Sequence, residues 1–254
     1  MATTIAVTNQ KGGVGKTTTA INVAYYLARD GKKTLLVDFD PQGNATSGLG
    51  FEKSALKKTM VEVILGDTTV DKAILETKFK NLSLAPTTPH LANAEADISR
   101  LARRFMLLKK ALEEMAGQYD FIIIDCPPSL SLLTINGLIA SNYVLLPVQT
   151  EFYALEGVSQ LLESMKLVKK AMNQDIELLG VVATMVDSRT TLSVQVLEEI
   201  KKFFGKKVFN TYIPRNVRLA EAPSHGVPVG VYDRFSKGSR AYKALAKEIV
   251  GRLK

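Results

Sequence analysis

A glycine-rich stretch between Asn9 and Thr18 constrains the fold more than any other part of the chain. It follows a short apolar run, residues 5–7, and precedes a helical pattern of apolar residues that begins at Ile21. A strand, a glycine-rich turn and a helix, in that order, form the context in which a backbone loop wraps an anion. Glycine suits such a loop because it permits tight turns and a close approach to a ligand. We therefore predict a phosphate-binding loop at the start of an α/β fold.

The side chains of this loop suit a nucleoside triphosphate and its cation. Lys16 is placed to reach the β- and γ-phosphates, and the Thr17 hydroxyl is placed to bind Mg²⁺. The usual pattern, G-x-x-x-x-G-K-[ST], has glycine where this chain has Gln10, and Lys11 stands directly before the double glycine instead. The alternative is a glycine-rich turn that carries two lysines by chance. The predicted phosphate-binding residues are Gly12, Gly13, Val14, Gly15, Lys16, Thr17 and Thr18.

Length and composition limit the class of protein. The chain has 254 residues, of which 46% are hydrophobic and 23% charged, as in ordinary globular proteins. No apolar stretch approaches the ~20 residues that cross a bilayer, and no leader pattern precedes the first strand, so we expect a mature cytoplasmic chain. Cys126 is the single cysteine, which excludes an internal disulfide and fits a reducing compartment. His90 and His225 have no neighbouring cysteines, so we expect no metal-ligand cluster.

The positive charge is concentrated near the C-terminus. The formal net charge is +8, yet residues 201–254 hold thirteen Lys or Arg against three acids, and the first 200 residues are slightly acidic. One interpretation is an electrostatic footprint for a polyanion. The other is a solvated basic surface without a partner.

Strand and helix patterns alternate along the chain, which predicts a doubly wound, mostly parallel sheet with helices on both faces. The predicted strands are residues 4–8, 34–38, 82–86, 119–125, 143–148, 178–185 and 207–212. The predicted helices are residues 15–29, 59–65, 70–76, 91–116 with a break near 103, 130–140, 154–172, 192–204 and 239–253. Residues 39–50, rich in Pro, Gly, Asn and Ser, are predicted to form a loop.

Acidic residues end two of the predicted strands. Asp38 ends one apolar run and Asp125 another, while Asp40 follows two residues after the first. In doubly wound sheets ligands bind beyond the carboxyl ends of the strands, so we expect these acids to meet the glycine-rich loop. Asp125 then suits a Walker B acid that holds Mg²⁺ or its water, although an acid that caps the next loop is the alternative. Of Asp38 and Asp40, one could organise the Mg²⁺ shell and the other orient the attacking water.

Four motifs together resemble one known family. They are K-G-G-V-G-K-T-T at residues 11–18, V-D-F-D-P-Q-G-N-A-T at 37–46, I-I-I-D-C-P-P-S at 122–129 and I-P-R-N-V-R-L-A-E-A-P-S-H-G at 213–226. The chain is similar to the ParA family of partition ATPases, of the Soj type. The resemblance implies one P-loop ATPase domain over residues 1–254, with ATP and Mg²⁺ as cofactors and a homodimer that sandwiches two ATP molecules.

The resemblance also implies roles for single residues. Lys11 matches a signature lysine that reaches across the dimer interface to the phosphates of the partner subunit, where it neutralises charge on the transferring group. The matches place Lys16 and Lys11 at the phosphates and Asp40 at the attacking water. They place Thr17, Asp38 and Asp125 at the magnesium ion. They place Met185, Pro214 and Asn216 near adenine. For Met185 a place in the core is the alternative.

Binding to double-stranded DNA without sequence preference follows from the same resemblance, as does stimulation of hydrolysis by a ParB (Spo0J)-type protein. Arg189 and Arg218 match basic residues implicated in DNA contact, although Arg218 could instead support the adenine loop. Independently, the last helix carries Leu245, Ile249 and Leu253 at a spacing of four. Its basic residues, which fall on another face, are Arg240, Lys243, Lys247 and Lys254. The alternative for that face is solvation alone.

Three other classes share the lysine-bearing loop. A MinD-like, membrane-associated division-site ATPase would carry a C-terminal amphipathic membrane helix, and the last helix here has no large aromatic insertion face. Nitrogenase iron protein and iron–sulfur carriers need paired cysteines, which Cys126 alone does not supply. A metabolic enzyme such as dethiobiotin synthetase has no supporting motif. We expect a cytoplasmic, nucleoid-associated protein that does not bind membranes.

Overall fold

One seven-stranded sheet forms the centre of the computed structural model, which describes residues 2–115 and 117–253. The strands are β1 (Thr3–Val7), β2 (Thr34–Asp38), β3 (Leu75–Glu76), β4 (Leu82–Ala85), β5 (Phe121–Asp125), β6 (Tyr143–Gln149) and β7 (Glu177–Thr184). Their order across the sheet is β3-β4-β2-β5-β1-β6-β7, and β3 alone pairs antiparallel. The predicted mostly parallel, doubly wound sheet is confirmed, and the carboxyl ends of its six parallel strands share one edge.

Helices flank this sheet. Those in the described ranges are α1 (Lys16–Arg29), α2 (Asn44–Gly48), α3 (Met60–Leu65), α4 (Val70–Ala73), α5 (Leu91–Ile98), α6 (Leu107–Glu113), α7 (Leu132–Ile139), α8 (Val158–Ala171), α9 (Thr191–Phe204), α10 (Val217–Glu221), α11 (Val229–Tyr232) and α12 (Lys237–Arg252). The predicted break near residue 103 separates α5 from α6. One predicted helical position, Ala116, lies outside the described residues.

Alternate residues of the central strands pack on opposite faces of the sheet. Ile123 of β5 joins a core with α1 and α12, whereas its neighbours Ile122 and Ile124 join a core with α3, α5 and α6. Every residue of β2 and β5 is buried. Full burial of an aliphatic side chain stabilises the fold by about 1.5–3 kcal/mol, so both cores hold the central strands and their ends in place.

The C-terminal helices are held against α1 by buried polar contacts. The hydroxyls of Thr19 and Tyr242 lie 3.0 Å apart, and those of Tyr26 and Ser239 lie 2.6 Å apart. Gly230 has no space for a side chain, because a Cβ there would lie 2.5 Å from the ring of Tyr25. The segment after residue 216 therefore lies close to the helix that follows the glycine-rich loop.

The strand predicted at residues 207–212 is absent. Only Val208 bridges β7, and side chains of α12 occupy the backbone groups that a ladder would use. Arg252 donates to the carbonyls of Lys207 (3.0 Å) and Val208 (2.7 Å). The Glu248 carboxylate accepts from the backbone N–H groups of residues 210 and 211, at 2.8 and 3.0 Å. The segment predicted as a strand is therefore irregular, and side chains of α12 hold its backbone in place.

Other boundaries also differ from prediction. The predicted loop 39–50 contains α2, which starts after Gly43, a residue in the left-handed region (φ 63°). The helix predicted from residue 154 starts at Val158, after Gly157 at φ 76°. The helix predicted over 70–76 ends at Ala73, and β3 follows it. In the first two cases a left-handed glycine sets the first turn, which apolar periodicity does not reveal.

Candidate nucleotide-binding site

The glycine-rich loop follows β1 and leads directly into α1. Gly13 (φ 75°) and Gly15 (φ 87°) adopt left-handed backbone angles that other residues rarely take. A Cβ added at either position, or at Gly12, would meet no atom within 4 Å. The loop therefore surrounds open space beside the N-terminus of a fourteen-residue helix, where backbone N–H groups attract anions.

Neighbouring strands fix this loop. The Asn9 side chain donates to the carbonyl of Pro147 in β6 (2.7 Å) and accepts from the Lys11 N–H (3.0 Å). The Thr184 hydroxyl, at the end of β7, donates to the Val14 carbonyl at 2.8 Å. Asn9, Val14 and Thr184 are buried, so these contacts attach the loop to the ends of β6 and β7.

Lys16 is the first residue of α1 and is 6% exposed. Its Nζ donates to the backbone carbonyl of Lys11 at 3.0 Å. Burial lowers the pKa of the Lys16 ammonium, and the carboxylates of Asp125 and Asp40 oppose that shift. The ammonium thus lies between the loop backbone and the acids at the strand ends.

Asp38 and Asp125 form a pair of fully buried acids beneath the loop. They are register partners of β2 and β5, and Asp125 also pairs with Val7, the last residue of β1. Oδ1 of Asp38 and both carboxylate oxygens of Asp125 have no hydrogen-bond partner among the described residues. Burial raises the pKa of Asp38 to about 6 and that of Asp125 well above its usual value, with the nearby Thr17 hydroxyl partly opposing the shift at Asp125.

These observations fit a bound magnesium ion and triphosphate. Buried carboxylate oxygens without partners are unfavourable, and Mg²⁺ prefers such oxygen ligands. Thr17, the second residue of α1, brings its hydroxyl beside Asp125. Asp40 is also buried, and its Oδ1 accepts from the Gln42 N–H at 2.9 Å. The structure therefore brings together the predicted loop residues and the three predicted acids.

A cavity of about 420 Å³ continues from the loop toward the C-terminal helices. It contains the three residues predicted to lie near adenine, together with loop residues Gly15 and Thr18. Its lining residues are Gly15, Thr18, Thr184, Met185, Ile213, Pro214, Arg215, Asn216, Val217, Leu219, Ala220 and Tyr242. The Oδ1 atom of Asn216 is buried and has no hydrogen-bond partner in the part of the chain that the structure describes.

One wall of this cavity is formed where the chain just after β7 pairs, parallel, with residues 213 and 214. Ile213 donates its N–H to the Ala183 carbonyl (2.8 Å), and the Val186 N–H donates to the Ile213 carbonyl (3.0 Å). Between them Met185 takes a left-handed backbone angle (φ 52°), which is uncommon for a residue with a side chain. Met185 is thus part of the cavity wall rather than an ordinary core residue.

The Lys11 side chain is directed toward a different acid. Its Nζ lies 3.8 Å from Oε2 of Glu151, whose Oε1 lies 3.9 Å from Arg215, and all three side chains are partly exposed. Glu151 was not predicted as a site residue. It follows the end of β6 by two residues, as Asp40 follows β2, and this signal could have identified it.

Tyr242 and Thr184 were also not predicted, although both line the cavity. Tyr242 lies on the buried side of α12. The sequence pattern of this helix predicted a basic face but did not single out Tyr242. Nothing local in the sequence marks Thr184, since its contact with Val14 spans 170 positions.

The two predicted DNA-contact arginines are each paired with acids. Arg189 is 85% exposed, and its guanidinium donates to both oxygens of Asp187, at 2.8 and 2.7 Å. Arg218 donates to Glu221 at 2.8 Å and lies 3.5 Å from Asp233. Both arginines are accessible, but their charge is offset locally.

The basic residues of α12 differ from those arginines. Arg240, Lys243 and Lys247 are exposed, and none of them forms a salt bridge within residues 2–115 and 117–253. Leu245 and Ile249 face inward, as predicted. Lys254, the fourth basic residue predicted on this face, lies outside the described residues.

Comparison with known proteins adds independent information. Residues 2–178 match the family described as AAA domain. The chain is 54% identical over 249 residues to the sporulation initiation inhibitor protein Soj of Bacillus subtilis, with 98% of each chain covered. It is 48% identical to the chromosome partitioning protein ParA of Myxococcus xanthus, covering 98% of this chain and 88% of that one. It is also 48% identical to the chromosome-partitioning ATPase Soj of Treponema pallidum, covering 99% and 98%.

Solved structures share the fold over nearly the whole chain. Cobyrinic acid a,c-diamide synthase of Mycobacterium smegmatis, with a bound ATP analogue and magnesium, superimposes with a TM-score of 0.91 at 39% identity and covers 100% of this chain and 96% of that one. The septum site-determining protein MinD of Pyrococcus horikoshii, complexed with Mg-ADP, gives 0.82 at 26% identity, covering 98% and 96%. None of the helices in the described ranges is long and apolar enough to cross a membrane.

Proposed function

Because the chain belongs to the ParA/Soj family of chromosome-partitioning ATPases, we propose that it is a single-domain, Mg²⁺-dependent ATPase whose ATP-bound dimer binds DNA. The observation that carries this proposal is the position of the open glycine loop over two buried carboxylates at adjacent strand ends. Oδ1 of Asp38 and both oxygens of Asp125 have no hydrogen-bond partner in the described ranges. A nucleoside triphosphate with its cation satisfies both features at once.

Each residue of the site has one task in this proposal. Backbone N–H groups of residues 12–18 bind the phosphate oxygens, and Lys16 donates to the β- and γ-phosphates. Thr17, Asp38 and Asp125 hold Mg²⁺, directly or through water. Mg²⁺ held by these residues would neutralise charge that develops on the phosphate oxygens during transfer. Asp40 orients the attacking water, so the chain contributes mainly position and charge.

The adenine base occupies the cavity beside the loop. Met185 and Pro214 supply apolar contacts, and the Asn216 amide supplies a polar one. That cavity adjoins Gly15 and Thr18, so a base seated there connects to phosphates in the loop. A site of largely apolar lining with few polar groups suits a nucleobase.

Lys11 acts on the ATP of a partner subunit. In the single chain it turns toward Glu151 and stays partly exposed, unlike Lys16. A lysine on the rim of the loop suits a contact made in trans, where it stabilises the transferring phosphoryl group. Hydrolysis then requires two chains, and the ATP-bound form is a homodimer.

The dimer binds double-stranded DNA without sequence preference through Arg189, Arg218, Arg240, Lys243 and Lys247. The exposed basic face of α12 and the net charge of the last 54 residues support this assignment. Contacts of this kind depend on phosphate charge and counterion release. A ParB-type protein stimulates hydrolysis and thereby ends DNA binding. The protein then works in the cytoplasm, associated with the nucleoid.

The full-length relatives favour partition over division-site selection, since they are 48–54% identical whereas the MinD structure is 26% identical. Sedimentation with anionic liposomes and ATP tests the MinD alternative. Partition predicts no liposome binding.

ATP hydrolysis measured with and without DNA and the cognate ParB-type protein tests the proposal. We expect slow turnover alone, faster turnover with both partners, and none with Asp40→Ala. Asp97→Ala is a matched control, since Asp97 is an exposed acid on α5 and does not line the cavity. Turnover that neither partner accelerates would contradict a role in partition.

A further inference from the structure

Thr46, in α2, makes a buried hydrogen-bonded unit with Asp38. Its backbone N–H and its hydroxyl both donate to Oδ2 of Asp38, each at 2.7 Å. The same hydroxyl accepts from the Thr87 N–H at 3.0 Å, just beyond β4. Thr46, Thr87 and Asp38 are all fully buried. Thr46 therefore connects the end of β2 to the end of β4 through one hydroxyl group.

This unit fixes how the Asp38 carboxylate is turned. Oδ2 receives two hydrogen bonds from Thr46, whereas Oδ1 receives none from residues 2–115 and 117–253. Rotation of the carboxylate would break both bonds in a buried environment, where an unpaired group is unfavourable. Oδ1 thus remains the oxygen that is available to a ligand.

The same contact closes the segment that carries Asp40. Asp38 and Thr46 bracket this segment, and within it the Gly43 N–H donates to the Asp40 carbonyl at 2.8 Å. Asp40 is thus held between a fixed strand end and a fixed helix. Thr46 therefore restrains both Asp38 and Asp40.

We infer that Thr46 is a positioning residue for the cation site, acting through Asp38. This inference rests on the proposed function, because it takes the site to bind a magnesium nucleotide. Groups that hydrogen-bond to a metal ligand orient it, and their loss typically lowers metal affinity about 10–100-fold. Thr46 needs no contact with ATP for this role.

The test measures Mg²⁺ dependence of binding rather than turnover. A fluorescent ATP analogue is titrated onto the wild-type chain, Thr46→Val and Thr46→Ser over a range of Mg²⁺ concentrations. Valine keeps the shape and the backbone N–H but removes the hydroxyl, whereas serine keeps it. We expect Thr46→Val to need about tenfold more Mg²⁺ for half-maximal binding and Thr46→Ser to behave like the wild type. Without Mg²⁺ all three should bind the analogue alike.

A double-mutant cycle separates positioning from a general effect on folding. In the Asp38→Asn background, Thr46→Val should no longer change the Mg²⁺ requirement. An unchanged Mg²⁺ requirement for Thr46→Val, or an equal effect in the Asp38→Asn background, would overturn the inference. If Thr46→Val does not fold, as judged by circular dichroism, Thr46→Ala is measured in the same way. A wild-type chain that binds the analogue without regard to Mg²⁺ would instead contradict the proposed function.

Discussion

Asp38 and Asp125 are direct partners in the register of β2 and β5, so two fully buried carboxylates stand side by side at the carboxyl edge of the sheet. Adjacent strands lie about 4.8 Å apart, and each acid therefore makes the charged form of the other less favourable. The arrangement is unfavourable without a cation and becomes favourable with one. The same pair that would bind Mg²⁺ thus destabilises the nucleotide-free chain.

The free energy of unfolding of the nucleotide-free chain should therefore depend on pH through the charge on Asp38. Burial raises the pKa of Asp38 from 3.8 to about 6, so its contribution to stability is complete below about pH 3.8 and is lost as pH rises through about 6. We predict that Asp38→Asn, without nucleotide, is more stable than the wild type at pH 7.5, by on the order of 3 kcal/mol. Urea unfolding of both chains at pH 5 and 7.5 measures the difference. A difference that does not grow toward pH 7.5 would contradict the account.

Base selectivity should depend on Asn216. Its buried Oδ1 has no partner among the described residues and can accept from the 6-amino group of adenine, whereas guanine presents a carbonyl oxygen there. We predict that Asn216→Ala reduces the preference for ATP over GTP by roughly threefold to tenfold, the worth of one hydrogen bond. Competition of both nucleotides against a fluorescent ATP analogue measures the ratio. Asn210→Ala, at an exposed position outside the cavity, is the control, and an unchanged ratio in Asn216→Ala would refute the assignment.

The basic face of α12 should determine the salt dependence of DNA binding. We predict that the double variant Lys243→Ala, Lys247→Ala weakens DNA retention with ATP and lowers the slope of log affinity against log salt by about 2. The matched control, Lys166→Ala with Lys170→Ala, removes the same charge from exposed positions of α8. If both double variants lower the slope equally, net charge rather than the α12 face controls binding.

Arg189 should bind DNA more strongly once its acid is neutralised. Arg189 holds the pKa of Asp187 below its usual range, because its guanidinium donates to both carboxylate oxygens at 2.8 and 2.7 Å. We predict that Asp187→Asn increases DNA retention several-fold and that adding Arg189→Ala removes the gain. Filter binding at fixed salt measures both variants. A gain that persists without Arg189 would show that the effect is only a change in net charge.

The features that the sequence predicted correctly are those marked by neighbouring residues. Apolar runs ending in Asp38 and Asp125 identify buried parallel strands, and the glycines before Lys16 identify the turn between strand and helix. These features depend on neighbouring residues alone. The topology rule for ligand sites then places them together, as the register of β1, β2 and β5 confirms.

Long-range contacts explain what the sequence did not predict. The segment 207–212 has a strand pattern, but Arg252 and Glu248 occupy its backbone groups from α12. Thr46 is one of several polar residues in a predicted loop, and only the fold brings it to Asp38 and Thr87. Such contacts depend on side chains that the fold brings in from other elements.

The central claim is that this loop needs two chains, and Lys11 and Lys16 test it. Light scattering with ATP and Mg²⁺ measures the mass of the wild type, Lys11→Ala and Lys16→Ala, alongside binding of a fluorescent ATP analogue. We predict a dimer for the wild type. Lys16→Ala should lose nucleotide binding, because its buried ammonium contacts the loop, whereas Lys11→Ala should bind nucleotide but remain monomeric and inactive. A Lys11→Ala chain that dimerises and hydrolyses ATP like the wild type would contradict the account.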